Sequence, residues 1–245
     1  MQIRLFKQEF VLRWRLIIIT VAAFALLIKL SFWQWQRASE KEMQLAQLAN
    51  WQQQGAPNWA DLIKLPLDEI DGAQLQGKAT WLSPFIWLVD NKIVQGRAGY
   101  DVLIPMQLAV GAPVLLVNLG WVAAPASREQ FPELTIPAEI ELSGVLRTQP
   151  GSFRLGDNLE VRGHWPMRIQ TIETATLQAS IPQPLFDAVF YQQQTPFIHH
   201  YQPVVLSPEK HRGYALQWLL LALAVVIVAM AASSQKEEGQ THGEE

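Results

Sequence analysis

The sequence contains no cysteine among its 245 residues. This absence excludes disulfides, cysteine nucleophiles, thiolate metal sites and covalent c-type haem attachment. The net charge is −3 and no run of basic residues occurs, so no nucleic-acid partner is indicated. Carboxylates are scattered without a recognisable acid–base pair, and no G-x-S-x-G motif is present. We therefore predict that the protein is not an enzyme.

Two long apolar segments stand near the ends of the chain, at residues 16–33 and 214–232. Each is long enough to span a bilayer as a helix. Lys29 is the only charge in the first segment, and its long side chain is expected to reach the interface. Tyr214 and Trp218 begin the second segment, as in an aromatic belt. Both segments are predicted to be transmembrane helices in contact with the lipid bilayer.

The distribution of basic residues predicts the orientation. Four of them precede the first segment: Arg4, Lys7, Arg13 and Arg15. Only Arg37 and Lys41 closely follow it, which places the N-terminus in the cytoplasm under the positive-inside rule. We expect a protein of the bacterial inner membrane with residues 1–15 cytoplasmic and residues 34–213 periplasmic. Residues 233–245 are predicted to be a short, disordered cytoplasmic tail.

The middle of the chain has the pattern of a folded domain. Residues 37–54 are rich in helix formers, so the first helix is expected to continue to about Gln54. Short alternating segments separated by turns then predict an antiparallel sheet. The predicted elements are a helix at 58–62, a strand at 73–81, a hairpin at 86–94 turning at Asp90-Asn91-Lys92, strands at 100–109, 114–118 and 140–146 with a bulge at Gly144, a helix at 171–179 and a strand at 184–191. The fold class is thus a membrane protein of α+β type, with two transmembrane helices flanking an extracytoplasmic antiparallel β-barrel or sandwich-like domain with a few helices.

Two local patterns are discounted. Residues 72–79 nearly spell a phosphate-binding loop, but Ala79 replaces the required Ser or Thr and a strand pattern replaces the helix. His199 and His200 are adjacent, and adjacent strand residues point to opposite faces. We therefore expect a solvated loop there rather than a metal site.

Two stripes of residues meet the outer membrane interface. If the second helix begins a few residues early, His211, Tyr214, Ala215 and Trp218 lie on one face at i, i+3, i+4 and i+7. Trp33, Arg37 and Lys41 form a similar stripe leaving the first helix. An imidazole over an aromatic wall could bind a ligand, although solvated interfacial histidines are common. The same positions are also typical of belt aromatics and of cations at the lipid headgroups.

Three motifs carry a family resemblance. The first, W-Q-x-x-R-x-x-x-K, matches Trp33-Gln34, Arg37 and Lys41. The second, G-Y-x-V-x-x-P-L followed by V-L-V-N-R-G-W-V-P, matches residues 99–106 and 115–123. The third, H-x-x-Y-A-x-x-W, matches His211, Tyr214, Ala215 and Trp218. With these motifs in order, the chain resembles the Surfeit locus protein 1 family, the Shy-type assembly factors of cytochrome c oxidase.

The resemblance has three departures. A family glycine before the first Trp is Ser31 here. The arginine and proline of N-R-G-W-V-P are Leu119 and Ala123. If the family arginine contacts a partner or a haem propionate, this chain is expected to do so differently.

The resemblance implies a role in maturing the haem a-containing catalytic subunit of a terminal oxidase, with haem a synthase as a second partner. It implies haem a as cofactor and His211 as the iron ligand. The aromatic side chains of Tyr214, Trp218 and Trp33 would line the site. Arg37, Lys41 and Arg212 are candidates to meet the propionates.

The sequence is also compatible with two other functions. The chain could be a scaffold that binds the nascent oxidase subunit without haem, with its motifs serving helix packing. An unrecognised membrane-anchored enzyme is the weakest alternative, because no catalytic constellation is visible.

The orientation yields a first prediction. A reporter that is active only in the periplasm, fused after Gln54 in a bacterial host, is expected to be active, because one span separates Gln54 from a cytoplasmic N-terminus. A cytoplasm-specific reporter at the same position serves as the control. Activity of the cytoplasmic reporter alone would reverse the orientation.

Overall fold

The computed structural model describes residues 2–5, 8–11, 14–148, 158–160 and 164–235. The chain divides into two compact units, Met1–Met43 with Val204–Glu245, and Gln44–Pro203. In chain order the elements are β1 Gln2–Leu5, β2 Gln8–Val11, α1 Trp14–Gln54, α2 Trp59–Leu62, α3 Leu67–Ile70, β3 Gln74–Trp81, β4 Trp87–Val94, β5 Arg97–Gln107, β6 Val114–Ala123, β7 Glu139–Arg147, β8 Leu159–Glu160, β9 Met167–Ile169, α4 Thr174–Gln178, β10 Leu185–Gln192, α5 Pro208–Ser233 and β11 Ser234–Gln235.

The two apolar segments form the long helices α1 and α5. The apolar run and the helix-forming residues after it make one continuous helix, as predicted, and it ends before Gly55. Most large apolar side chains on both helices are exposed, for example Ile19 at 66% and Val228 at 66%. A helix that is apolar all round and unburied is typical of a membrane span. The two helices thus have the length and composition of membrane-spanning segments.

A small sheet joins the segments outside the two long helices. Strand β2 pairs with β1 and with β11, both antiparallel. Because β2 precedes α1 and β11 follows α5, the N-terminal and C-terminal segments meet. Of the tail predicted to be disordered, residues 233–245, Ser233 ends α5 and Ser234–Gln235 form β11; the rest, from position 236 onward, lies outside the described residues.

The second unit is built on a closed ring of five strands. The sheet order runs β3-β7-β10-β6-β5, and a further pairing of β3 with β5 closes the ring. Strand β4 pairs with the first part of β5, and β9 and β8 extend the sheet beyond it. The predicted barrel-like domain between two apolar helices is confirmed. Two pairings are parallel rather than antiparallel, namely β10 with β6 and β4 with β9.

The strands β5 and β6 are buried on both faces. Side chains such as Val102 and Val117 point to a core cluster shared with β3 and β7. Their neighbours Leu103 and Leu116 point the other way, to a second cluster containing Leu177 of α4. Successive strand residues face opposite sides, so a strand covered on both sides is apolar throughout.

The predicted hairpin turns at a different place. Asp90-Asn91-Lys92 lies within β4, where the pairing register shifts between Val89 and Lys92 and Asn91 has a φ of 60°. The chain reverses instead at Gln95 and Gly96, whose φ angles are 52° and 75°. Two consecutive residues of positive φ fit the tight turn that matches strand twist. The Asn in the predicted turn marks a bulge.

Gly144 does not form the predicted bulge. It pairs in register with Leu75 on β3 and with Gln192 on β10. A Cβ at this position would overlap the carbonyl oxygen of Tyr191. Glycine is required here because two backbones approach closely.

This close approach makes Gly144→Ala a test of the sheet packing. The added methyl must push β10 away, at about 1–3 kcal/mol, the usual range for overpacking. We expect the thermal unfolding midpoint in detergent to fall by several degrees. Gly213→Ala is the control, because no atom lies within 4 Å of a Cβ there. Equal midpoints for the two variants would contradict the close approach.

Candidate cofactor site on the paired helices

The helices α1 and α5 contact each other over a short stretch of each helix. On α1, Ser31 and Gln34 lie three residues apart on one face. On α5, His211 and Ala215 share one buried face. Polar side chains such as Ser and Gln can hydrogen-bond between helices within a membrane.

Two hydrogen bonds join this face. The hydroxyl of Ser31 donates to the backbone carbonyl of Ala215, with 2.8 Å between the oxygens. Nδ1 of His211 lies 2.7 Å from Oε1 of Gln34. The contacts run 31 to 215 and 34 to 211, so the helices are antiparallel. The C-terminal end of the first apolar segment therefore meets the N-terminal end of the second, and the first and third motifs lie together.

His211 occupies a restricted position on this face. Helix α5 begins at Pro208, early enough to include His211 in its first turn. The side chain is buried, with 9% of its surface exposed. Among the described residues, only Gln34 hydrogen-bonds the ring, so Nε2 has no protein partner there. An imidazole nitrogen with a free lone pair can coordinate a metal.

The predicted propionate-binding cations are engaged with carboxylates. Arg37 donates to Glu40 at 2.6 Å, and Arg212 pairs with Glu42 at 2.5 Å. The four side chains are between 36% and 48% exposed. Exposed pairs of this kind contribute about 0.2–1 kcal/mol, so an incoming anion could exchange with the carboxylate at small cost. Lys41 is half-buried and has an interaction of its own.

Two tryptophans of α1 lie beside the arginines. Arg37 is 5.7 Å from the ring centre of Trp33, and Arg212 is 5.9 Å from that of Trp35. Tyr214 is 43% exposed, and Trp218 is half-buried on the same helix. Of the predicted site residues, the structure thus brings Trp33 together with Arg37, and it places His211 against Gln34 of α1.

The second motif lies in the other unit and has a structural role there. Asn118 on β6 donates to the buried carboxylate of Asp101 on β5, with an N–O distance of 3.1 Å. Its amide oxygen also accepts the backbone N–H of Gly120 at 2.9 Å. Leu119, at the position of the family arginine, is 1% exposed within the barrel core. An apolar residue suits that position.

The expectation for His199 and His200 is half correct. His199 is exposed in a loop. His200 is not simply solvated, because its Nε2 lies 2.5 Å from Oδ1 of Asp101. The partner is 99 residues away in sequence. No local pattern could reveal this pair.

Three further residues of α1 contact the arginines of the two helices and were not predicted from the sequence. Glu40 lies within the first motif and pairs with Arg37, whereas Glu42 follows the motif and pairs with Arg212. Trp35 lies beneath Arg212. The helical spacing of Glu40 from Arg37 was a usable signal, since residues three apart are neighbours on a helix. Glu42 meets Arg212 across helices, which the spacing within one helix does not predict.

The geometry agrees with the comparison to known families. The model of the SURF1 family matches residues 21–223, which include all three motifs. The chain belongs to the SURF1 family. No curated protein matches the sequence. Membership supports a general role in cytochrome oxidase assembly, and the family is one of assembly factors rather than enzymes.

The pairing of α1 with α5 can be tested by cross-linking, since the chain has no cysteine of its own. A Ser31→Cys, Ala215→Cys double variant is expected to form an intramolecular disulfide under mild oxidation, because the helices touch at these residues. In the control, Ser31→Cys is combined with Leu216→Cys, whose side chain is 56% exposed on another face of α5. Equal cross-linking in both variants would contradict this packing.

Proposed function

We propose that this protein holds haem a at the paired helices and assists its insertion into the catalytic subunit of a haem–copper terminal oxidase. The observation that carries the proposal is His211, a buried imidazole held through Nδ1 with Nε2 lacking a protein partner among the described residues. A neutral imidazole is a common axial ligand of haem iron.

The surrounding residues fit the rest of the cofactor. Haem a carries two anionic propionates and a long apolar tail. Arg37 and Arg212 lie on the two helices near the level of His211, and their ion pairs are exposed and exchangeable. Exposed apolar side chains of α1 and α5 offer a lipid-like surface for the tail. When bound, haem a supplies the redox-active iron that the oxidase subunit requires.

We further propose the membrane arrangement that this role needs. The basic residues before α1 favour a cytoplasmic N-terminus. The pairing of β11 with β2 supports placing both chain ends on that side. Residues 34–213 are then periplasmic in the inner membrane of a bacterium. The partners are the oxidase catalytic subunit and haem a synthase.

A scaffold without haem is the alternative. The hydrogen bond from Ser31 to Ala215 and the pair of Arg212 with Glu42 would serve helix packing equally well in such a protein. In that case the protein would dock on the nascent oxidase subunit without binding haem.

Haem content separates the two functions. The chain is co-expressed with haem a synthesis, purified in detergent and examined by absorption spectroscopy. We expect bound haem a, and a loss of about ten-fold or more in His211→Ala, because the iron ligand is removed. His199→Ala is the control, since this exposed histidine lies in the other unit. Absence of haem above background in the unsubstituted protein would overturn the haem-binding proposal.

A further inference from the structure

The contact between Gln34 and His211 bears on which ring nitrogen of His211 carries the hydrogen. Oε1 of Gln34 is an amide oxygen, which only accepts hydrogen bonds. With this oxygen facing Nδ1 of His211 at 2.7 Å, the contact is a hydrogen bond when that ring nitrogen carries the hydrogen. A neutral imidazole carries a single N–H, so Nε2 then holds the lone pair.

We infer that Gln34 is a positioning residue that fixes His211 in the Nδ1-protonated tautomer and directs Nε2 as the metal-binding atom. The inference rests on the proposed function for the identity of the bound metal group. The tautomer itself is a property of the protein alone. Metal-binding histidines commonly donate their other N–H to a fixed acceptor, which sets both tautomer and ring orientation.

Because Gln34 lies on α1 and His211 on α5, the contact between them fixes the orientation of the imidazole ring relative to both helices. The imidazole comes from α5 and its acceptor from α1, so the packing of the helices sets the direction of the ring. Ser31 holds the next turn through the carbonyl of Ala215 at 2.8 Å. A shift of either helix would therefore move the lone pair of Nε2.

The choice of an amide is also informative. A carboxylate at this place would accept the same hydrogen bond, but it would bring a charge into a half-buried membrane-proximal position. An amide orients the ring while leaving the site neutral. The positive Arg37 and Arg212 then remain available to an anionic ligand without competition from a further fixed negative charge.

The tautomer can be measured without any cofactor. The full chain, labelled with ¹⁵N-histidine, is placed in phospholipid nanodiscs, and the ring-nitrogen signals of His211 are assigned from their loss in His211→Ala. At a pH where the spectrum shows a neutral ring, we expect protonated Nδ1 and unprotonated Nε2. Gln34→Leu removes the acceptor and should move a large share of the hydrogen to Nε2.

Two variants separate positioning from packing. Gln34→Glu retains an acceptor and should keep the Nδ1-protonated form. Ser31→Ala removes the other hydrogen bond between the helices, yet should leave the tautomer of His211 unchanged. An Nε2-protonated His211 in the unsubstituted protein, or an unchanged tautomer in Gln34→Leu, would overturn the inference.

Haem binding provides the second measurement. With co-expressed haem a synthesis, Gln34→Leu is expected to lower haem a occupancy by about ten-fold, the usual effect of losing a ligand's hydrogen-bonding partner. Gln34→Glu keeps a hydrogen-bond acceptor, so it should bind more haem a than Gln34→Leu does, and it should lower the midpoint potential because a carboxylate makes the imidazole a stronger electron donor. If Gln34→Leu matches the unsubstituted protein in occupancy and potential, Gln34 has no positioning role. If no variant binds haem a while the tautomer behaves as expected, the proposed cofactor is wrong and the inference about Gln34 stands.

Discussion

Two apolar helices in a bilayer gain little from hiding apolar surface from each other, because lipid is equally apolar. Their association therefore depends on the few polar groups that can pair between them. Ser31 and Gln34 provide these groups on α1. The position of His211 follows from this packing, since its ring is held by a residue of the opposite helix.

The barrel and the helix pair solve different physical problems. In the barrel, apolar side chains on both faces of β5 and β6 drive folding in water, and the buried Asp101–Asn118 contact joins the strands where they carry polar groups. Burial raises the pKa of Tyr191 above its usual range, and neighbouring Tyr201 and Asp101 add to this effect, so the phenol stays neutral within the domain. Motif residues are therefore of two kinds, those that shape the sheet and those that form the proposed cofactor site.

Sequence patterns predicted the features that depend on neighbouring residues. Apolar runs located both long helices, and alternation located most strands. The patterns failed where distant segments decide the outcome. The predicted turn at Asn91 was wrong because pairing with β5 makes this segment a bulge within β4. The predicted bulge at Gly144 was wrong because glycine is needed there for another reason, the close approach of the Tyr191 carbonyl. The parallel pairing of β6 with β10, and the partners of His200 and Arg212, likewise join residues far apart in sequence.

Closure of the five-strand ring has a consequence for association with other chains. An open sheet edge exposes unpaired N–H and C=O groups and invites strand addition from other unfolded chains. The pairing of Thr80 and Trp81 on β3 with Gln107 and Met106 on β5 covers one end of that edge, and the outermost described strand, β8, has only two residues. The length of strand edge on which another chain could pair is thereby reduced.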